Sequence, residues 1–383
     1  MNNQLVKPYE RVQLFSGGGS RFGYYLGSYA ALASHDLAPD IIVGTCGGSL
    51  SAYLVQFAPD PKDLQALICS RELYRVITAI RHVAPDEANK RLKLRYMTHA
   101  LKRWRLSKQK DNGQRQRQAD SYERLLNELQ QLAMFRIDNE QYWLDELSWF
   151  AASIHGSAAD KTTPEIAIIA SRLYQSPTDG LCNKKPVLQE LLFAPPRLAN
   201  LSNLVSGLAD EQITSPAHIF ANGRIHPSVK VQTQWDFAPV IRASMADMYY
   251  LPPTHITELG WCLGGVINLT PIELACQLGD SVFAETKAGY DAWLAAPAIQ
   301  RVFGFDPNRR LAAVHGYQPM RKPSYATSNH HQLHWLPFAD NEQQLRGRNV
   351  QKRFNLKQMI VELIHSDYDG FVQQMQAQWQ YGY

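Results

Sequence analysis

The sequence predicts an α/β fold in which a central, mostly parallel sheet is flanked by helices. Two strand–glycine-turn–helix units begin at residues 11–15 and 41–43. Units this close together favour βαβ organisation and parallel strands. The apolar runs 165–170 and 187–193 are typical of buried strands and suit the same sheet. With 383 residues, the chain is long enough for one large domain with insertions or for two domains.

The first unit is a strand, Arg11–Phe15, that leads directly into a glycine-rich loop with the sequence Ser-Gly-Gly-Gly-Ser-Arg-Phe-Gly at 16–23. Consecutive glycines before a helix let backbone N–H groups face an anion, and the positive end of the following helix adds to this effect. The spacing fits neither the dinucleotide fingerprint GxGxxG nor a Walker loop. From these residues alone, an oxyanion site, a phosphate site and a plain tight turn all stay open.

The second unit has the layout of a nucleophile elbow, a sharp strand-to-helix turn that lifts one side chain into a pocket. Ile-Ile-Val at 41–43 reads as the end of a buried strand, and small residues at 49–54 open a helix. Gly44 and Gly48 lie two residues either side of the apex, where a Cβ would crowd the backbone. The residue at the apex is Cys46.

Two later blocks complete a pattern. Arg-Ala-Ser-Met-Ala at 242–246 precedes Tyr-Leu-Pro-Pro at 250–253, and Leu263–Gly264–Gly265 precedes an asparagine and a proline. With the glycine-rich loop and the elbow, these blocks resemble the patatin-like phospholipases, which are lipid acyl hydrolases that use a Ser-Asp dyad. The resemblance covers about 13–80 and 160–285.

The resemblance implies a role for each matching position. Cys46 stands where the family has its serine, and Leu263 stands where it has its aspartate. Because leucine accepts no proton, ordinary Ser-Asp hydrolysis is expected to be impaired. The resemblance also implies an oxyanion loop at Gly17, Gly18 and Gly19, a substrate contact at Arg21, and an acyl lipid or acyl thioester as ligand. Neither a cofactor nor a metal is expected.

Two hypotheses follow for the chemistry. A thiol at a helix N-terminus can have its pKa lowered, so Cys46 can serve an acyl hydrolase or acyltransferase. His255, Glu258 and Asp247 are then the candidate replacement bases. Alternatively, the chain is a non-catalytic scaffold that binds acyl lipids or a partner protein, with Cys46 as a small, inert side chain.

The predicted organisation is an α/β domain at 8–290 with a basic helical insertion at about 80–160, followed by a C-terminal extension at 291–383 packed on the core. Helical spacing is expected to return at 122–149. In the extension, 301–304 and 312–315 are expected to be short strands or turns. An amphipathic segment, interrupted at Gly370, is expected at about 356–379.

The net charge of +4 is unevenly distributed, because residues 90–117 carry eleven Lys and Arg against one acid. This local charge argues against a nucleic-acid-binding fold and favours a local anionic contact. An apolar stripe with Trp104 suits an anionic membrane surface, whereas a helix packed on the core with a solvated basic face is the alternative. The basic side chains concerned are Lys93, Arg95, Lys102, Arg103 and Arg105.

Composition also suggests a location. No apolar run approaches the roughly 18 residues of a spanning helix, and no apolar signal region is visible near Met1. The five cysteines are odd in number and lack CxxC pairing, which argues against a disulfide framework. A cytoplasmic protein with peripheral membrane contact is therefore expected.

Overall fold

A computed structural model describes most of the chain, and the expected fold class is confirmed. The described residues are 7–17, 21–82, 122–131, 133–145, 147–149, 163–175, 186–199, 213–221, 223–290, 292, 295–318, 332–336, 351–355 and 360–383.

Helices and strands alternate through the first part of the described chain. The helices are α1 Phe22–Ser34, α2 Gly47–Phe57, α3 Pro61–Ile68, α4 Arg71–Thr78, α5 Tyr122–Gln131, α6 Phe237–Ser244, α7 Ile272–Leu278, α8 Ala295–Phe303, α9 Pro307–His315 and α10 Tyr368–Gly382. The strands are β1 Tyr9–Phe15, β2 Ile41–Thr45, β3 Ile80–His82, β4 Phe135–Ile137, β5 Glu165–Gln175, β6 Pro186–Phe193, β7 Lys230–Gln232, β8 Thr254–Ile256, β9 Gly260–Leu263, β10 Gly279–Glu285, β11 Gln332–Leu336, β12 Gln351–Asn355 and β13 Ile360–Ile364.

The central sheet has the order β11-β10-β1-β2-β5-β6-β7, and the hairpin β8–β9 joins it through β5. The pairs from β11 to β5 are all parallel, whereas β5 pairs antiparallel with both β6 and β9. The carboxyl ends of β1 and β2 therefore lie side by side, since Phe15 is in register with Gly44. This register brings the glycine-rich loop next to the elbow.

Helices cover both faces of this sheet, and each face has its own apolar core. In β2, Ile42 contributes to the core that includes α1, α2 and α10, whereas Ile41 and Val43 contribute to the core that includes α7 and α8. Alternation of this kind is the two-residue period of a strand buried on both sides.

The C-terminal helix α10 packs closely on α1. A Cβ on Gly27 would lie 2.3 Å from the Trp379 carbonyl oxygen, so only glycine permits this approach. The fully buried Gln378 accepts a hydrogen bond from the Gly23 amide at 3.1 Å. This bond satisfies one of the free N–H groups in the first turn of α1, whose N-cap residue Arg21 provides no side-chain acceptor.

Three local expectations are wrong. Residues 301–304 and 312–315 are not strands: they lie largely within α8 and α9, and α9 begins with Asp306 as N-cap and Pro307 in its first turn. The spacing at 122–149 is interrupted by β4, and the segment near 356–379 holds β13 before α10. Gly370 does not interrupt α10, since it lies in the first turn and donates to the Asp367 side chain.

The basic side chains Lys93, Arg95, Lys102, Arg103 and Arg105 all lie outside the described residues. Of the helices within the described ranges, none combines the length and the apolar character that crossing a bilayer requires.

Candidate functional site

The elbow forms at the junction of β2 and α2. Cys46 adopts φ 49° and ψ −124°, in the region of positive φ that a residue with a side chain rarely occupies. Holding a non-glycine residue there costs about 1–3 kcal/mol, and such strain is concentrated at functional sites. The two flanking glycines are required as expected: a Cβ on Gly48 would lie 1.7 Å from the Phe15 carbonyl oxygen, and one on Gly44 would lie 2.8 Å from the Ser49 Cα.

Neighbouring elements fix the backbone of the elbow. The Cys46 amide donates to Ser244 Oγ at 2.8 Å, and Ser244 in turn donates to the Ile169 carbonyl at 2.6 Å. Ser49, one turn into α2, donates its hydroxyl to the Cys46 carbonyl at 2.6 Å. Ser244, at the end of α6, therefore links the elbow to the middle of β5.

The thiol of Cys46 donates to Asp247 Oδ2 at 2.7 Å. Asp247 follows α6 and is partly buried. Gly264 makes room for this carboxylate, because a Cβ there would lie 1.9 Å from Asp247 Oδ1. Gly265 likewise makes room for the elbow, because its Cβ would lie 3.1 Å from Ser244 Oγ. The two glycines after β9 are thus explained by the groups that pack on them.

Burial dominates the ionisation of both partners. It raises the pKa of Asp247 to about 7, while the Cys46 thiol and the Val266 amide act to lower it. The pKa of Cys46 is raised well above its ordinary value by burial first and by the Asp247 charge second. The Gly47 amide and Lys287 lower it by less. The expectation that the helix N-terminus leaves Cys46 with a lowered pKa is therefore wrong.

The other residues predicted from the sequence make different contacts. Leu263 is buried in the apolar core that includes α7 and α8, and it pairs in register with Ser171. His255 is exposed and stacks edge-on with Trp261, and Glu258 is exposed in the β8–β9 turn. Of the three candidate bases, Asp247 is the one that the fold brings to the Cys46 sulfur.

The first part of the glycine-rich loop lies beside the elbow. The Gly17 amide donates to Thr45 Oγ1 at 2.9 Å, and a Cβ on Gly17 would lie 2.8 Å from the Cys46 Cβ. Gly17 is therefore in direct contact with the elbow. Gly18 and Gly19 lie outside the described residues. Arg21 is partly buried at the start of α1. Burial raises the pKa of Glu285, and the charges of Lys287 and Arg21 oppose this rise.

A narrow cleft borders the site beside Val266. Its volume of about 20 Å³ is enough for one water molecule. Tyr290 lines the cleft, and burial together with the charges of Asp247 and Cys46 raises its pKa. Sequence reasoning missed Tyr290, since no pattern links it to the elbow. The residues that line the cleft include Val266, Leu269, Tyr290, Phe305, Arg310 and Val314.

No group of three or more His, Cys, Asp or Glu side chains that could hold a metal ion occurs within the described ranges.

The Asp247→Asn substitution should change how stability depends on pH. A carboxyl group with a folded-state pKa of about 7 and an unfolded value near 3.9 favours folding while protonated, and this contribution is lost as the pH rises from about 4 to 7. Relative to wild type, Asp247→Asn should therefore gain a few kcal/mol in unfolding free energy at pH 8 compared with pH 5. Urea denaturation at both pH values measures this, with the exposed Asp36→Asn as control. An equal effect at both pH values would contradict the assignment.

Alkylation should report the charge beside the thiol. Because the Asp247 carboxylate raises the pKa of Cys46, Asp247→Asn should lower that pKa and speed labelling of Cys46 by iodoacetamide several-fold at pH 8. Mass spectrometry of the labelled peptides gives the rate, with Cys69 as internal reference. An unchanged labelling rate in Asp247→Asn would mean that the carboxylate does not act on the thiol.

One comparison with known proteins shows the family. The model for the patatin-like phospholipase family matches residues 14–276, more than half of the chain. A search of curated proteins gave no match. Among solved structures, VipD from Legionella pneumophila is 10% identical over 97% of this chain and 67% of its own, with a TM-score of 0.28. ExoU of Pseudomonas aeruginosa, solved with SpcU, is 19% identical over 48% of this chain and 35% of its own, with a TM-score of 0.22.

This chain thus spans about a third of the ExoU structure. Both TM-scores are low, so the assignment rests on the family match and on the α/β fold with its strand-to-helix elbow. The chain belongs to the patatin-like phospholipase family.

Proposed function

We propose that this protein transfers acyl groups from a lipid, or from an acyl thioester, through Cys46 as nucleophile and Asp247 as base. The observation that carries the proposal is the 2.7 Å contact between Cys46 Sγ and Asp247 Oδ2. A nucleophile and a base within hydrogen-bond reach, with the nucleophile on a strained elbow, form the minimal arrangement for acyl transfer. In this proposal the base is therefore Asp247, whereas the resemblance places the aspartate of the Ser-Asp dyad at the position of Leu263.

The reaction has two half-steps. As Cys46 Sγ bonds to the acyl carbonyl carbon, its proton passes to Asp247 Oδ2, and the electron pair of the C=O bond moves onto oxygen. When the tetrahedral intermediate collapses, the bond to the leaving oxygen or sulfur breaks, and Asp247 returns its proton to that atom. Water, or an acceptor alcohol, then attacks the thioester while Asp247 takes its proton. Collapse of this second tetrahedral intermediate breaks the C–S bond, and Asp247 returns the proton to Sγ, which regenerates the Cys46 thiol and the Asp247 carboxylate.

The glycine-rich loop Gly17, Gly18 and Gly19 supplies the oxyanion site in this proposal, through the backbone N–H groups of Gly18 and Gly19, because the Gly17 amide is already bound to Thr45 Oγ1. Gly17 supports this role, since it contacts the Cys46 Cβ and is anchored to Thr45. Arg21 would then contact the polar part of the substrate. Removing one donor from such a site typically reduces the rate on the order of 10²–10³-fold.

Substitutions at Cys46 and at Asp247 should distinguish catalysis from binding. Asp247→Asn should lower the rate of acyl-enzyme formation on the order of 10²–10⁴-fold, since the base is lost, and Cys46→Ala should abolish it. Cys46→Ser should keep measurable esterase activity without any change at Leu263, because the base is already present. The measurements are short-chain ester hydrolysis and the mass of the acylated Cys46 peptide.

The matched control is Glu258→Gln, which removes an exposed carboxylate from a candidate base that the fold leaves away from Cys46. It should retain wild-type activity. If wild type binds acyl lipids but forms no acyl-enzyme with ester or thioester substrates, the proposal is wrong and the non-catalytic scaffold is correct.

We further propose that the protein works in the cytoplasm at an anionic membrane surface, contacted through the basic segment at 90–117. The cluster of positive charge in the sequence supports this. Purified protein should co-sediment with vesicles containing phosphatidylserine and should be released by salt. Arg103→Glu combined with Arg105→Glu should weaken this binding, whereas Arg309→Glu, a single cation outside the segment, should not. Equal binding of the double variant would refute the contact.

A further inference from the structure

A buried ionic cluster lies behind the glycine-rich loop. Lys287, two residues after β10, forms an ion pair with Glu285, and both side chains are almost fully buried, with 7% and 2% exposure. The Lys287 ammonium also donates to Tyr25 Oη at 3.0 Å and to the Gly17 carbonyl at 2.8 Å. Each of the three N–H bonds of an ammonium thus has an acceptor in this cluster.

Side chains of the cluster donate hydrogen bonds to two consecutive backbone carbonyl groups just after β1. Tyr25, in the first turns of α1, donates its hydroxyl to the Ser16 carbonyl and also lies 2.9 Å from Glu285 Oε1. Lys287 holds the next carbonyl, that of Gly17. The two ends of the loop, one on β1 and one on α1, are therefore tied together through side chains of a third element.

Gly17 connects this cluster to the nucleophile. Its amide is bound to Thr45 at 2.9 Å, its carbonyl is bound to Lys287 at 2.8 Å, and its Cα faces Cys46. A Cβ on Gly17 would lie 3.6 Å from the Cys46 sulfur. The buried ammonium and the thiol thus lie on two sides of one residue.

We propose that Lys287 is a positioning residue of the Cys46 site, which fixes the Gly17 carbonyl and supplies a buried positive charge that favours negative charge at the reacting centre. The catalytic part of this proposal rests on the function proposed above, whereas its electrostatic part concerns the thiol alone. Neither the family resemblance nor the motifs assign a role to position 287.

Charge and burial both support this role. Burial by itself lowers the pKa of Lys287, and the Glu285 carboxylate opposes this and favours the charged ammonium. The same ammonium lowers the pKa of Cys46. In acyl transfer, negative charge grows on the carbonyl oxygen beside the loop, and a fixed charge in a water-poor site stabilises it more than the same charge in water.

Two alkylating reagents of similar size test the electrostatic part. Iodoacetate is an anion and iodoacetamide is neutral, so the ratio of their rates at Cys46 reports the local potential independently of access and of the thiolate fraction. Lys287→Met should lower this ratio at least about threefold. Because that change leaves Glu285 unpaired and can prevent folding, Lys287→Met/Glu285→Gln is measured in parallel, with circular dichroism to verify the fold. The matched control is Arg301→Met/Glu128→Gln, a second partly buried ion pair, which should leave the ratio unchanged.

Enzyme kinetics test the catalytic part. The double variant at 285 and 287 should lower kcat on the order of 10-fold or more while KM stays within about twofold, since the charge acts on the transition state. An unchanged reagent ratio in the folded double variant overturns the proposal, whatever the turnover. If wild type forms no acyl-enzyme, the proposed function fails, and a lowered reagent ratio still supports Lys287 as the charge that acts on Cys46.

Discussion

The carboxyl group of Asp247 is held against the Cys46 thiol in a place where little solvent can stabilise its charge. Burial of this kind destabilises the folded protein whenever the group is ionised. The surrounding structure compensates only in part, through the Val266 amide and the thiol itself. Two glycines, Gly264 and Gly265, are needed so that the backbone can approach this closely. A protein that needed only stability would gain by placing an apolar side chain at position 247.

The strand β5 determines how the parts of the site meet. Its residue Ile169 is in register with Thr45 at the elbow, and the Ile169 carbonyl accepts the hydrogen bond from Ser244. Two residues further on, Ser171 is in register with Leu263, just before Gly264, which packs against Asp247, and Gly265, which packs against Ser244 and Cys46. Cys46, Asp247 and the glycines therefore come from separate parts of the chain, and the register of one strand aligns all three. A shift of one residue would move every side chain of β5 to the opposite face.

Local patterns were sufficient to predict the parallel sheet and the elbow, because strand ends, tight turns and close-packed glycines depend on neighbouring residues. The same patterns gave a wrong prediction at 301–315, where short apolar runs fit a strand or a buried helix equally well. The helix start signal in that segment is Asp306–Pro307. Asp247 was among three candidate bases, but its choice depends on a contact across 201 residues that only the sheet register creates. Lys287 carried no signal beyond being a charged residue shortly after an apolar strand.

The pairing of a thiol with a buried carboxyl group changes what limits acyl transfer. Proton transfer from Cys46 to Asp247 moves a negative charge within the pair and creates no new one. Burial therefore destabilises the charge both before and after the proton moves. Burial is the largest cause of the raised pKa of each partner, and the difference between the two pKa values therefore matters more than either value. The unperturbed pKa of a thiol, near 8.5, is much closer to the pKa of a carboxyl group than the pKa of an alcohol is. Proton transfer to the base is therefore easier from a thiol. In the proposed reaction, the demanding step is then stabilisation of charge on the carbonyl oxygen, at the loop where Gly17 is fixed by Thr45 and Lys287.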